Sequence, residues 1–368
     1  MIIKRFRADN FRNIEKCDIE FSPGVNLLYG KNAQGKTNVI EGIYYFSRGK
    51  SFRGREDKEL VRFGTEGFRI YIEFEDNCGS ESLEYALFGK ERLRKKNDYK
   101  ISKITEMIGS FKAVLFYPDD LSLVKDGPDE RRNFLNVAVS ACYPLYIKYY
   151  SDYKKALENR NCILKMMQKG LYVDKYELDS WSSSMAEYAS HIFLFRKEYI
   201  ERLKKYAGVI LKDISDGNEE LTLLYESPIP EEMTDRAEIK SEYEKIFSSS
   251  LDREISAGVT LFGPHRDDVE IRINGKSARS FASQGQQRSI VLALKLSEGE
   301  VIKEICGEYP VFLFDDVLSE LDEKRRSYVL SGIGDRQIII TSCEPDECLG
   351  FTDSEIEVTG GRYVSTHR

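Results

Sequence analysis

The octapeptide Gly30-Lys31-Asn32-Ala33-Gln34-Gly35-Lys36-Thr37 constrains this chain more than any other feature. It fits the pattern Gly-x-x-x-x-Gly-Lys-[Ser/Thr], and its surroundings suit that motif. The short apolar run Val25-Asn26-Leu27-Leu28-Tyr29 before it reads as a buried strand. The stretch after it, with Val39, Ile40, Ile43 and Tyr44 on one side, reads as a helix. The residue types have a physical reason. Glycines let the backbone wrap closely enough for its N–H groups to surround phosphate oxygens, and a helix N-terminus adds partial positive charge. Lys36 is expected to reach the β and γ phosphates of a nucleotide, and the Thr37 hydroxyl to ligate Mg²⁺. Such a site needs an acid at the end of a second buried strand. Asp315, after Val311-Phe312-Leu313-Phe314, has that placement and is expected to hold Mg²⁺ with Thr37. Asp316 follows at once and is placed to polarise an attacking water.

Lys36 and Asp315 stand 279 positions apart, a gap that a compact kinase or GTPase would close in far fewer residues. An α/β nucleotide fold split by an inserted domain accounts for it. Tyr146, Tyr149, Tyr153, Ala156, Ile163 and Met167 recur at helical spacing, with Arg160 interrupting the series and Gly170 ending it. Asp174 and Glu177 read as a capping box for a second helix. That helix carries Leu178, Trp181, Met185, Tyr188, Ile192, Phe195 and Tyr199 on a seam of near-heptad period. The pair predicts an antiparallel hairpin, either one layer of a helical lobe or a truncated coiled-coil arm. Residues 213–245 are acidic and poorly periodic and read as a connection. Strands are expected at Asp18–Phe21, at Phe68–Phe74 with a turn at Asn77-Cys78-Gly79 into Leu83–Leu87, and at Ala113–Phe116. Two more are expected at Val269–Ile273, before an Asn274-Gly275 hairpin turn, and at Gln337–Ile340. The expected organisation is a head made of residues 1–118 and 246–368 with a helical lobe over 119–245.

Composition removes other classes. With 41% hydrophobic and 32% charged residues, the chain of 368 resembles ordinary soluble proteins. No apolar run approaches the roughly 18 residues that span a bilayer, so no membrane association is expected. Met1–Arg7 carries charges where a signal peptide needs apolar residues. Cys17, Cys78, Cys142, Cys162, Cys306, Cys343 and Cys348 lack metal-ligand spacing and read as reduced thiols of a cytoplasmic protein. The net charge of −7 means that any contact with DNA must be local. Two basic groups qualify: Lys50, Arg53 and Arg55, and the run Arg92, Arg94, Lys95, Lys96, Lys100 and Lys103, which with Asp98 nets +5. Contacts of this kind are made to phosphates and carry no sequence preference.

Ser283-Gln284-Gly285-Gln286-Gln287-Arg288 opens an apolar helix 32 positions before Asp315. It resembles the signature motif of ABC-type ATPases, where a hydroxyl and free N–H groups at a helix start face the γ-phosphate held by another subunit. Ser319-Glu320-Leu321-Asp322 resembles the D-loop of that superfamily. Further segments are similar to one family in order and spacing. They are Asn10-Phe11-Arg12-Asn13, Phe116-Tyr117-Pro118-Asp119-Asp120-Leu121, Gly127-Pro128 with Arg131-Arg132, Gly263-Pro264-His265-Arg266-Asp267-Asp268, and Phe281 through Arg288. On these segments the chain resembles the RecF recombination mediators.

The resemblance implies a P-loop ABC-type ATPase head split by a helical lobe, as in abbreviated SMC-type ATPases. It implies ATP and Mg²⁺ as cofactors, an ATP-dependent homodimer on DNA, and weak, DNA-stimulated ATP hydrolysis. It also implies a cytoplasmic role with RecR and RecO in placing RecA at gaps during repair, replication and the SOS response. By the same likeness Ser283, Gly285, Gln286 and Arg288 act on the partner subunit's ATP, Arg12 approaches the nucleotide, and Asp119 and Asp120 stand at the Q-loop. Asp316 replaces the usual Glu, and Thr341 and Ser342 stand where a switch His is common, both in keeping with slow turnover. Asn136 stands where the family is expected to have Asp and receives no role. His265 is read as shaping a loop or the dimer face. The alternatives are an ATPase subunit of a transporter, which usually carries Leu-Ser-Gly-Gly-Gln and a switch His, and a small-molecule kinase.

Overall fold

Alternation decides the first sheet. In Gly67–Asp76, Phe68, Ile70, Ile72 and Phe74 are buried while Arg69 and Glu75 face solvent. The computed structural model describes residues 1–54, 56–332, 334–343 and 350–367. The first sheet has six antiparallel strands in the order Ile14–Glu20, Ile2–Phe11, Gly67–Asp76, Gly79–Phe88, Glu91–Lys96 and Tyr99–Lys100. A second six-stranded sheet has the order Arg362–His367, Ser354–Thr359, Val25–Tyr29, Ile338–Ser342, Val311–Asp315 and Ala113–Phe116. Its neighbours are parallel except for the outer pair formed by Ser354–Thr359 and Arg362–His367. The continuous burial of Val311–Asp315 and Ala113–Phe116 suits strands covered on both faces.

The helix Lys36–Arg48 packs between these sheets. Ile40, Ile43 and Phe46 share one core with Phe6, Ile70 and Phe74 of the first sheet and Leu28 and Leu313 of the second. The approach is close: a Cβ on Gly42 would come within 2.5 Å of the Phe6 ring. A larger side chain there would force the helix off the sheet.

Contacts divide the chain into two compact units. The first joins Met1–Leu121, Val209–Glu219 and Ser283–Arg368, and the second joins Ser122–Gly208 and Glu220–Ala282. The expected division at 245/246 therefore falls inside the second unit. The reason is strand pairing: Leu221–Glu226 runs antiparallel to Asp268–Ile273, which binds residues up to 282 to that unit. The 213–245 segment, read as a connection, thus contains a strand and also most of the helix Arg236–Ser249. That helix is capped by Asp235, which accepts from Glu238 N–H at 2.9 Å.

Within the second unit the helix Pro144–Gln168 runs antiparallel to the part of the helix Lys175–Ile214 that precedes Val209. The paired residues fix the register: Leu164 and Leu178 share a cluster, Arg160 bonds Ser182, and the rings of Tyr149 and His191 stack at 3.9 Å. Arg160 does not interrupt the packed face. It is buried in it, donating to Glu254 at 2.6 Å and to Thr260 Oγ1 at 2.8 Å. Among the described residues no helix is long and apolar enough to cross a membrane.

Candidate nucleotide site

The loop after Val25–Tyr29 bends as its sequence demands. Gly30 and Gly35 have φ of 149° and 108°, and a Cβ on Gly30 would lie 2.3 Å from the carbonyl oxygen of Val358. Gly35 is the N-cap of the helix Lys36–Arg48 and no side chain caps that end, which leaves its first N–H groups directed at the loop. The loop is tied down from outside. Asn13 Nδ2 donates to Ala33 O at 2.9 Å, and Gly360 N–H donates to Gln34 Oε1 at 2.7 Å. Lys36 is buried, and its ammonium donates to Gly30 O at 2.7 Å and Lys31 O at 3.2 Å, which holds it over the loop. Lys31, Asn32 and Ala33 are exposed along the rim.

Thr37 and Asp315, 278 positions apart, meet: Thr37 Oγ1 donates to Asp315 Oδ1 at 2.8 Å. The strand Ile338–Ser342 lies between their two strands and contributes a partner that the sequence reading missed. Thr341 Oγ1 donates to the same oxygen at 2.9 Å and accepts from Asp316 N–H at 3.0 Å. Burial raises the Asp315 carboxyl above the usual carboxylate range, and the Thr37 and Thr341 hydrogen bonds oppose that shift. Beyond this strand, Cys343 Sγ donates to Asn32 Oδ1 at 2.9 Å.

Asn32, Ala33, Gly35, Lys36, Thr37 and Asp316 line a cleft of about 480 Å³ together with Arg12, Asn13, Asn38, Arg53, Glu59 and Val61. Arg12 is thus at the cleft, but most of its donors are used within the wall: Nε and NH2 bond Glu41 at 3.0 and 2.6 Å, and NH1 bonds Glu59 O at 2.9 Å. Arg53, grouped by sequence with the DNA candidates, also lines the cleft, with NH1 3.2 Å from Asn38 Oδ1. Lys50 is exposed past the end of the helix, while Arg55 and Cys348 lie outside the described residues.

Ser283 begins the helix Gln284–Cys306 in a reciprocal capping box. Its Oγ accepts from Gln286 N–H at 3.2 Å, and its own N–H donates to Gln286 Oε1 at 2.9 Å. Ser283 is exposed, Gly285 is half-buried, and Arg288 donates to Glu320 at 3.4 Å. None of the four signature residues lines the phosphate-loop cleft. Asp120 pairs with Lys295 at 3.7 Å on the signature helix, and burial pushes its carboxyl up to about 6.

The first four cations of the basic run lie on the strand Glu91–Lys96, and each has a partner. Arg92 meets Asp57 at 3.3 Å, Lys95 meets Glu84 at 3.4 Å, and Lys96 meets Glu81 at 2.8 Å. Arg94 donates to Ser102 O at 3.3 Å and lies over the Tyr85 ring.

Residues 2–360 match the family described as the RecF/RecN/SMC N terminal domain. "DNA replication and repair protein RecF" of Clostridioides difficile is 39% identical over 362 residues, covering 97% of this chain and 96% of that protein. The protein of the same description from Acetivibrio thermocellus is 39% identical over 368 residues, covering 98% and 99%. The chain belongs to the RecF family. A solved structure described as the recombination mediator protein RecF-ATP in the RecFOR pathway superposes with a TM-score of 0.92 at 35% identity, covering 99% of this chain and 97% of that one. The Smc head domain of Pyrococcus furiosus, at 16% identity and a TM-score of 0.59, shares the fold. The split α/β architecture is therefore that of an SMC-type ABC ATPase head. Membership in RecF sets the chain among DNA replication and repair proteins and apart from transporter subunits and small-molecule kinases.

Proposed function

We propose that this RecF-family chain is an ATP-dependent DNA-binding protein of recombinational repair and replication. ATP drives its dimerisation on DNA and is hydrolysed slowly. The observation that carries the reading is the convergence of Thr37 and Asp315 at 2.8 Å beside Lys36, under an uncapped helix N-terminus. Hard oxygen donors of this kind fit Mg²⁺, and Thr37 and Asp315 would hold it, the latter through water. When bound, the ion would offset charge on the triphosphate. Lys36 would exchange its two carbonyl partners for phosphate oxygens. Thr341 keeps the Asp315 carboxylate aimed and fixes the backbone of Asp316, whose φ is 53°. An aspartate at 316 reaches less far toward an attacking water than a glutamate, which favours long-lived ATP over rapid turnover.

The exposed Ser283 end of the signature helix supports a second half-site that completes the cleft of another copy. Sequence-independent contact with DNA, cooperation with RecR and RecO, placement of RecA and a cytoplasmic setting complete the proposal. Sedimentation with ATP and DNA tests it. Lys36→Ala is expected to lose ATP binding and dimerisation together. Ser283→Arg is expected to bind ATP and remain monomeric. Normal ATP-dependent dimers of the Ser283→Arg protein would refute the composite site.

A further inference from the structure

Besides the phosphate loop, the cleft is walled by two arginines that share one buried anion. Glu41, with no exposed side-chain surface, lies in the helix Lys36–Arg48. Its Oε1 accepts from Arg12 NH2 and from Ser51 Oγ, and its Oε2 accepts from Arg12 Nε. Arg53 NH1 stands 3.8 Å from Oε2. Ser51 Oγ also accepts from the backbone N–H groups of Arg53 at 2.9 Å and Gly54 at 2.7 Å. One carboxylate therefore anchors both segments that bring an arginine to the cleft.

The two guanidinium groups are held differently. Arg12 is only 18% exposed, sits at φ 55°, and uses Nε, NH1 and NH2 within the wall. A non-glycine residue in that conformation needs its surroundings to hold it. Arg53 is 42% exposed and its contact with Glu41 is the longest of the set, so it can turn toward a ligand without leaving the carboxylate unpaired. A buried carboxylate costs several kcal/mol unless it is well paired. At a helix position where an apolar side chain would pack without that cost, the charge calls for a use. Within this cluster two guanidinium groups share one anion, so one of them keeps donors to offer a polyphosphate beside Lys36.

We infer that Glu41 is a positioning residue for both arginines and that it acts on the bound triphosphate through Arg53. The inference rests on the reading that this cleft takes ATP. Fluorescent N-methylanthraniloyl-ATP with Mg²⁺ is the probe, titrated into the full chain. Glu41→Gln keeps the shape and removes the charge, and it is expected to weaken binding about tenfold, the scale of one charge-assisted hydrogen bond. In an Arg53→Ala background the same change should cost nothing further. A role in folding alone would leave the Glu41→Gln penalty undiminished in that background, and this outcome overturns the proposal, as does native affinity in Glu41→Gln itself. Should Glu41→Gln fail to fold by circular dichroism, Ser51→Ala keeps the carboxylate and loosens only the Arg53 segment. Its smaller penalty must likewise vanish with Arg53→Ala. Native protein binding the probe no better than Lys36→Ala would overturn the nucleotide reading itself, and this inference with it.

Discussion

His265 shows what one half-buried side chain implies for pH. Its Nε2 lies 3.2 Å from Thr260 O, which can only accept, so Nε2 donates and Nδ1 accepts from Tyr153 OH at 2.6 Å. Both ring nitrogens thus tie the Gly263–Asp268 segment to Tyr153 and Thr260. Burial lowers the imidazole to about 4, with Arg266, Arg132 and Arg196 adding to the shift. The unfolded chain takes up that proton near pH 6.5, before the folded chain does. Stability from this group is therefore complete above pH 6.5 and is lost as pH falls toward 4, by roughly 3 kcal/mol at about 1.4 kcal/mol per unit. Denaturant midpoints of His265→Gln should vary less over that interval than those of the native chain. An unchanged slope would assign the titration to another group. Among the site residues, Gly30–Thr37 and Asp315 were legible because a local motif and an apolar strand announce them. Thr341, Glu41 and Ser51 were not, because each gains its role from a partner brought by another strand or turn. That Arg53 also lines the cleft was not legible, because charge alone does not say which way a side chain faces.

At the scale of elements, periodicity was a good guide wherever one face is buried. The Gly67–Asp76 strand and the helical hairpin followed directly from it. It failed for Leu221–Glu226, where half-buried residues blur the alternation, and for Arg160, which looks polar in sequence yet fills the hairpin face. Arg160 also lies over the Phe247 ring, so a cation, an aromatic and a carboxylate close the space between helices of the second unit. Removing the arginine would strand Glu254, which is fully buried. Arg160→Ala is expected to destabilise the chain by about 3–5 kcal/mol. Arg160→Met combined with Glu254→Gln leaves no bare charge and keeps an acceptor for Leu261 N–H. It should recover most of that loss in urea titrations. Equal losses in both variants would mean that the hydrogen bonds of Arg160 to Ser182 and Thr260, rather than a stranded charge, decide the packing.

The whole molecule carries a net charge of −7, and its most basic strand is threaded with acids. This balance bears on how DNA would be held. Lys96 is one-third exposed and pairs with Glu81, itself mostly buried, so a DNA phosphate must compete with a carboxylate already in place. Exposed ion pairs are worth about 1 kcal/mol or less, so such an exchange is accessible to a polyanion that engages several cations together. If the Glu91–Lys96 strand faces DNA, removing the competitor should help. Glu81→Gln is expected to tighten binding severalfold in the presence of ATP. Lys96→Ala should weaken binding and reduce the slope of log affinity against log salt by about one, the share of one phosphate contact. The two changes act on the same pair and in opposite directions, which separates a DNA contact from general loss of stability. Affinities unmoved by both substitutions would exclude this strand and direct the search to the exposed end of the phosphate-loop helix at Lys50.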